Sequence, residues 1–596
     1  MHYPRWCISG TVALTSGRQA ADTSGVTLVA DPTAPPQRSR PRGHTLGPHV
    51  AALALVLLAL VPLVGTGASF SADEGAAITQ ARSLSRGDGW IVEHPVPEVD
   101  PTGVNYPLEN SERGPRGVAP YAKHPLYPVL LAAADRLGGV TGMVLLSLAG
   151  TIAAAAMAAL LARRLDPALD RAVLWVVGLG SPLLFDGFLV IGHALGAALA
   201  VAAVLLAVRA LERRRPLVAL AIGPLVAAGV MLRTEFVFVA LALAVTVFVA
   251  GLVARRLAVP ALVAGVSVTG AMAARFGDRE WTERILGLTG AGVPLPPGTL
   301  AGGGLGGRAR GFVLTWLTPG YGAGATVHLA LVVMLVSVVL AAWLTRRRPE
   351  EPRLIAGAAV TAVGAALVAL VASPANVVPG LLVAFPLAAA GLLVVRRDHL
   401  TTTAGRLSLA TFGLFALGVI ATQYQRGGSG EWGGRYFAVG IAVVTPVLVL
   451  ALRDAGRRLE PQARRIVGAS LAGCMVALSV MGMGSLRAAH QRNASMNHAV
   501  VEAVAAAPAG DGGPAVVVAA DGTLARHGWP TFDRARWLLG GADLPALAGR
   551  LRAAGIPQFV FVTRDPAGPG AGLTGVDRRE GGGAGRQWYV MVVRAA

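Results

Sequence analysis

The sequence predicts an all-α polytopic membrane bundle of about 13 transmembrane helices, followed by a small α/β domain at the C-terminus. Three observations carry this. First, apolar residues make up 54% of the 596 positions and charged residues only 14%, against roughly 25% charged in soluble chains. Second, apolar runs of about 20 residues recur along the chain, each long enough to cross a hydrocarbon core of about 30 Å. Third, Arg clusters occupy alternate loops between those runs. The composition excludes an ordinary soluble enzyme and a disordered chain. The formal net charge of +19 suits a nucleic-acid-binding domain on its face. Most of the Arg, however, sits in short loops, where it sets membrane orientation.

The elements follow in order. Residues 1–47 hold Pro, Arg and Thr without a sustained apolar run and lack the apolar core of a signal peptide. They are expected to be a disordered cytoplasmic tail, or in part to precede the true start codon. The transmembrane bundle is expected over 48–486, its first span at about 49–68. Further runs cover about 139–161, 169–186, 188–208, 216–232, 236–253, 257–274, 325–344, 354–372, 377–395, 404–421, 435–452 and 464–485. The stretch 123–137 reads as a membrane-surface helix or as part of a span. With the N-terminus inside, the inner loops hold Arg163-Arg164, Arg213-Arg214-Arg215, Arg255-Arg256, Arg346-Arg347-Arg348, Arg396-Arg397 and the stretch from Arg453 to Arg465. Each carries at least two Arg, as the positive-inside rule requires. An odd number of spans then places the C-terminus on the outer face of the plasma membrane.

The outer side has long loops at 70–138 and 275–324, a Gly-rich loop at about 423–434, and the polar region 487–596. In the last region, strand-like runs at Val516–Ala519, 558–562 and 588–593 and a helix-like segment at 544–554 read as an extracytoplasmic α/β domain. The GGGAG run at 581–585 lacks the Gly-Lys-Ser/Thr ending of a phosphate loop and reads as a plain loop. The two cysteines, Cys7 and Cys474, form neither a disulfide framework nor a CxxC metal site. No HExxH, GxSxG or Walker A pattern and no internal repeat is present.

The chemistry-bearing residues gather on the expected outer side. Asp73 and Glu74 stand just past the first span; adjacent residues do not face each other on a helix, so each has its own task. One suits proton acceptance, the other a metal or a cationic partner; the plain alternative is a hydrated acidic pair at a helix exit. The same loop ends in Lys123-His124-Pro125-Leu126-Tyr127, which holds the one Lys of the chain. Proline disfavours helix in the residue before it, so a helix is expected to begin at about Leu126. This turn suits an anion or an interfacial anchor. His193, one to two turns into a span, suits a ligand or a helix-packing donor. Arg233 and Glu235, two apart, do not pair directly if helical, which leaves Arg233 either for another partner or for an interfacial salt-bridge network. In Gly427–Tyr436, GGSGEWGGRY, Glu431 and Arg435 are four apart in the order that favours a helix pair, but the glycines argue against a helix. Trp432 suits a sugar ring or the aromatic belt. Arg275, Asp278, Trp281, Arg308, Arg310, Trp316 and Tyr321 lie in the second long loop, where Arg308 and Arg310 suit a phosphate or plain solvent.

At these residues the chain resembles the membrane glycosyltransferases of the C-type fold (GT-C), the group that includes protein O-mannosyltransferases and lipid A aminoarabinose transferases (families 39 and 83). The shared arrangement is one span, an Asp-Glu pair, and a Lys-Pro-Pro-Leu-Tyr-like turn into the next helix. Here these are Asp73-Glu74 and Lys123-His124-Pro125-Leu126-Tyr127, with His124 in place of the first Pro. Trp432–Tyr436 and the outer α/β region are similar to bacterial members of the group. The resemblance implies inverting transfer of a sugar, hexosyl or pentosyl, from a polyprenyl-phosphate donor. The acceptor would be a hydroxyl of a cell-envelope glycan, lipid or protein on the outer face. It implies Asp73 as base and Glu74 holding the acceptor or a divalent metal. Lys123 and Arg435 would meet the donor phosphate, with Arg233 and Arg308 behind them. Tyr127, Glu431, Trp432 and Tyr436 would line the substrate, and His124 and His193 are metal-ligand candidates. No cofactor is required, but a divalent metal is permitted. The rival readings are a lipid-linked substrate transporter or flippase, a polysaccharide polymerase or ligase, and a scaffold whose outer domain binds a partner.

Overall fold

The apolar runs form helices. In the computed structural model, which describes residues 45–108, 112–121, 124–288, 304–320, 323–373, 377–422, 431–507, 514–541, 543–570, 573–583 and 586–595, ten helices are long and apolar enough to cross a membrane. They are Gly47–Val64, Leu126–Ala162, His193–Arg213, Phe236–Val253, Ala258–Leu286, Ala325–Arg347, Pro352–Ala372, Thr403–Thr422, Arg435–Gly456 and Pro461–Ala506. Of the other three runs among the 13 expected, two are broken and one, Pro216–Leu232, is a shorter helix with a turn at Ala221. Asp170–Leu179 gives way at Gly180-Ser181 to the short helix Leu183–Asp186. Pro216–Leu220 meets Ile222–Leu232 at Ala221. Leu381–Ala384 is cut from Pro386–Val394 at Phe385, because the proline lacks an N–H and restricts the residue before it. Broken backbone is tolerated at membrane depth only inside protein. Leu183, Leu184, Phe185, Phe188 and Leu189 are accordingly at most 5% exposed.

The outward faces of the long helices are apolar. On Phe236–Val253, Leu241, Val245, Phe248 and Leu252 are 42–51% exposed. A face of that kind is stable in lipid and not in water, so the chain is a multi-pass membrane protein. At one end of the bundle the Arg clusters cap helices, with Arg213, Arg346 and Arg347 in last turns. Ion pairs tie the loops there, among them Arg163 to Asp170 at 2.7 Å and Arg453 to Asp166 at 2.6 Å. The opposite end, the head end, carries the chemistry. Leu126–Ala162 starts at the residue that Pro125 dictates and kinks at Gly138-Gly139, where Gly139 has φ +58°. The stretch before the kink is therefore a separate arm lying before the span.

The last span does not stop near 487: Pro461–Ala506 is a single helix that leaves the bundle and becomes part of the C-terminal domain. Earlier in the chain, β1 (Glu112–Gly114) and β2 (Gly117–Ala119) form a small hairpin. The domain sheet holds β3 (Val516–Ala519), β4 (Arg536–Leu539), β5 (Gln558–Thr563), β6 (Leu573–Gly583) and β7 (Arg586–Ala595) in the order β4-β3-β5-β7-β6. β3 is parallel to β4 and β5; β7 is antiparallel to β5 and β6. The period-2 alternation puts Val517, Val560, Val562, Val590 and Val592 on one face, against Met496, Val500 and Ala503 of the long helix. Val516, Val518, Phe559, Phe561 and Val593 take the other face, against Leu547 and Leu551 of the helix Leu544–Ala553 and Val96 and Val99 of the first long loop. β4 and β6 were not expected from sequence; Gly581–Gly583 of the GGGAG run closes β6, and residues 584–585 lie outside the described residues. The first long loop is bound into this domain: Asn105 donates to the Leu539 carbonyl at 2.7 Å and accepts from Arg550 at 2.8 Å.

Candidate functional site

The site begins with the helix Ala72–Arg86, which follows the first span and starts at Ser71. The Ser71 amide donates to Glu74 Oε2 at 2.7 Å, the reach-back of a capping box. Glu74 Oε1 accepts from the Val190 amide at 3.0 Å, inside the irregular stretch between Leu183–Asp186 and His193–Arg213. Glu74 thus joins the head helix to the broken span. It is buried, and burial pushes its carboxyl up to about 7 against the pull of those backbone donors. Asp73 diverges from it, as adjacency on a helix demands.

Asp73 lies between two guanidinium groups. Arg435 Nη1 donates to Asp73 Oδ2 at 2.9 Å and Arg526 Nη1 donates to Asp73 Oδ1 at 3.0 Å. The carboxylate side chain keeps 30% exposure. Two local features deliver the arginines. Gly433 (φ +73°) and Gly434 (φ +69°) adopt the left-handed region, so the chain turns between Glu431 and Arg435. The Glu431–Arg435 bond forms at 2.9 Å across this turn rather than along a helix. Gly75 admits the C-terminal domain: a Cβ there would meet the Arg526 carbonyl oxygen at 2.0 Å. Arg86 then clamps Asp533 with two bonds of 2.8 and 2.9 Å, and Arg82 lies over Trp529 at 4.7 Å.

Beneath this pair is a buried trio. Asp186, His193 and Glu431 are 0%, 0% and 2% exposed. Their ligand atoms all lie within 4.8 Å of one another. His193 Nδ1 is 3.7 Å from Asp186 Oδ1 and 3.5 Å from Glu431 Oε2. Burial also raises the Glu431 carboxyl. His193 is the first residue of its helix, not one or two turns inside a span, because the chain is irregular before it.

The other expected residues are placed as follows. Arg233 is not left for another partner: it grips Glu235 with bonds of 2.6 and 3.1 Å, because Arg233 is extended (φ −152°, ψ 128°) and a two-residue spacing reaches across an extended chain. His124 is buried against Thr234, with a ring nitrogen 3.4 Å from its hydroxyl, and stands outside the Asp186–His193–Glu431 trio. Tyr127 is fully buried beside Tyr121. Trp432 is 3% exposed and stacked on Phe185 at 5.8 Å. Tyr436 lies under the Arg435 guanidinium at 5.1 Å. Arg308 is half-buried on the helix Gly304–Phe312. Arg275, Asp278 and Trp281 belong to the long helix Ala258–Leu286, where Trp281 packs on Trp90 at 5.8 Å. Lys123, Tyr321 and residues 423–430 lie outside the described residues.

Among the cavities of the described residues, two bear on the site or on the bundle beside it. One of about 200 Å³ is lined by Ser71, Arg492, Asn493, His527, Arg564 and Trp588, between the head helix and the C-terminal domain. The other is an apolar groove of about 620 Å³ between Gly47–Val64, the broken span and the last helix, with Arg487 in its wall. Sequence alone does not single out Arg526 or Asp186 as site residues. Arg526 has no local signal, since only the folded domain brings it to Asp73. Asp186 had one: a carboxylate in an apolar run, seven residues before His193.

No family model matches the chain, and no curated protein matches it. Among solved structures it is similar to ArnT from Cupriavidus metallidurans bound to undecaprenyl phosphate, at 15% identity and a TM-score of 0.42, over 93% of this chain and 99% of that one. It is also similar to ArnT from the same organism in the apo state, at 14% identity and a TM-score of 0.40, over 92% and 98% of the two chains. A likeness of this degree carries no residue role and no substrate to the present chain.

Proposed function

We propose that the chain is a membrane glycosyltransferase of the GT-C type. It would move a sugar from a polyprenyl-phosphate donor to a hydroxyl on the outer face of the plasma membrane. One observation carries this reading: Asp73, a part-exposed carboxylate at the head end, is shared by Arg435 and Arg526 at 2.9 and 3.0 Å. Transfer from a lipid phosphate needs a base for the acceptor hydroxyl and positive charge for the departing phosphate, and this cluster offers both. The donor phosphate would take up the guanidinium groups and release Asp73. The acceptor oxygen then bonds to the anomeric carbon as the carbon–oxygen bond to phosphate breaks. The hydroxyl proton passes to Asp73, and polyprenyl phosphate departs with inversion at the sugar. The apolar groove beside the first span suits the isoprenoid tail, and the polar cavity under Arg492 and Arg564 suits the acceptor. The acceptor is a glycan, lipid or protein of the cell envelope. On this reading the N-terminus is cytoplasmic and the C-terminal domain extracytoplasmic.

The broken span with its buried Asp186 and His193 is also what a transporter of lipid-linked substrate would show. Against it, Glu74 ties this stretch to the head helix, and Glu431 beside it is bonded to Arg435 of the Asp73 cluster. The deciding experiment is sugar transfer from synthetic polyprenyl-phosphate sugars in membranes bearing the chain. Transfer that disappears in Asp73→Asn and falls in Lys123→Ala and Arg435→Ala supports the enzyme. Undiminished transfer by Asp73→Asn removes the base role. Donor movement across vesicles without any transfer would favour the transporter.

A further inference from the structure

We infer that Asp186, His193 and Glu431 form a binding site for one divalent transition-metal ion of the zinc or manganese class. Three polar side chains are shut away from water in one place, and their inward atoms lack hydrogen-bond partners among the described residues. These atoms are both carboxylate oxygens of Asp186, both ring nitrogens of His193, and Glu431 Oε2. Buried ionisable groups are costly unless paired or bound to a metal. The separations also discriminate. At 3.5 and 3.7 Å the His193 nitrogen is too far from either carboxylate for a good hydrogen bond. Ligands about 2.0–2.1 Å from a tetrahedral ion sit about 3.4 Å apart, close to the two distances from His193 to the carboxylates. One imidazole and two carboxylates suit zinc or manganese, whereas magnesium and calcium favour all-oxygen sets.

The surrounding charges leave room for a cation. Arg233 faces its own Glu235, and Arg435 is met by Asp73 and by Glu431 Oε1. Glu431 is thereby divided, one oxygen on Arg435 and the other turned to the trio. The three residues come from the end of Leu183–Asp186, the start of His193–Arg213, and the turn before Arg435–Gly456. An ion there would bridge the break in the span and fix Glu431, and through it the Arg435–Asp73 pair. The ligand site stands on the geometry of the trio and does not rest on the proposed sugar transfer.

The test is metal content. The full chain, purified in detergent with a tag free of histidine, is loaded with Zn²⁺ or Mn²⁺, desalted and measured by inductively coupled plasma mass spectrometry. About one equivalent per chain is expected, falling at least about tenfold in Asp186→Asn and in His193→Gln, with surface His498→Gln unchanged. The chelated wild-type chain should also gain melting temperature on adding back the ion. The wild-type arm decides by itself if the variants do not fold. Wild-type content below about a tenth of an equivalent, or content that the Asp186 and His193 variants keep, overturns the site. A chain that holds the ion and transfers no sugar keeps this inference and removes the proposed activity.

Discussion

Asp73 and Glu74 are neighbours in sequence and do unlike work. Asp73 is part-exposed between two guanidinium groups, and Glu74 is buried on backbone amides. Asp73→Asn keeps the shape and removes the proposed base, so transfer should drop by at least about 100-fold with little change in melting temperature. Arg526→Ala should cost about 100-fold in transfer, because one of the two guanidinium groups on Asp73 is removed. Retention of full rate by either variant would count against the site as assigned. Glu74 gives a pH prediction. Its carboxyl is raised from 4.5 to about 7 by burial, so the folded chain holds that proton more tightly than the unfolded chain. The stabilisation is complete below pH 4.5 and lost as pH rises through about 7. Melting temperature should therefore fall across that window, and Glu74→Gln should flatten the fall. An unchanged slope in thermal melts of the variant would contradict the assignment.

At the scale of elements, two glycine positions set the site. Gly75 on the head helix is the contact point for the C-terminal domain, since any side chain would strike the Arg526 carbonyl at 2.0 Å. Gly75→Val should destabilise the docked domain by ~1–3 kcal/mol and make the C-terminal domain more susceptible to protease. Limited proteolysis at wild-type rate would show that the helix and domain part more easily than this contact suggests. In the Trp-Gly-Gly-Arg turn, both glycines have positive φ, and a Cβ on Gly433 would meet Pro182 at 2.4 Å. The turn explains why a spacing of four produces an ion pair without a helix. A two-residue spacing likewise pairs Arg233 with Glu235 once the chain is extended.

For the whole molecule, the long helix Pro461–Ala506 joins bundle and sheet domain into one piece. Its outer part supplies Met496, Val500 and Ala503 to the domain core. The domain returns Arg526 to Asp73 and Asp533 to Arg86. A chain ending after Ala507 should still insert, because its long apolar helices remain, but should lose transfer. Wild-type transfer by that truncated chain would show that the domain does not complete the site.

The sequence alone determined what depends on neighbours along the chain. Apolar length and Arg-flanked loops give the membrane helices, since hydrocarbon forces each span to satisfy its own backbone. Pro125 gives the helix start, and short apolar runs give three of the five domain strands. The Asp73-Glu74 pair and Arg435 were legible as chemistry for the same reason: charges at the ends of apolar runs stand out. What joins them was decided by tertiary structure. Arg526 lies 453 positions from Asp73, and no local pattern marks that partnership. Nor does periodicity reveal that the third span breaks at Gly180-Ser181, or that the break gathers Asp186, His193 and Glu431. Helices broken by glycine and proline look apolar throughout in sequence. Their breaks become visible only when buried side chains and backbone amides must find partners in three dimensions.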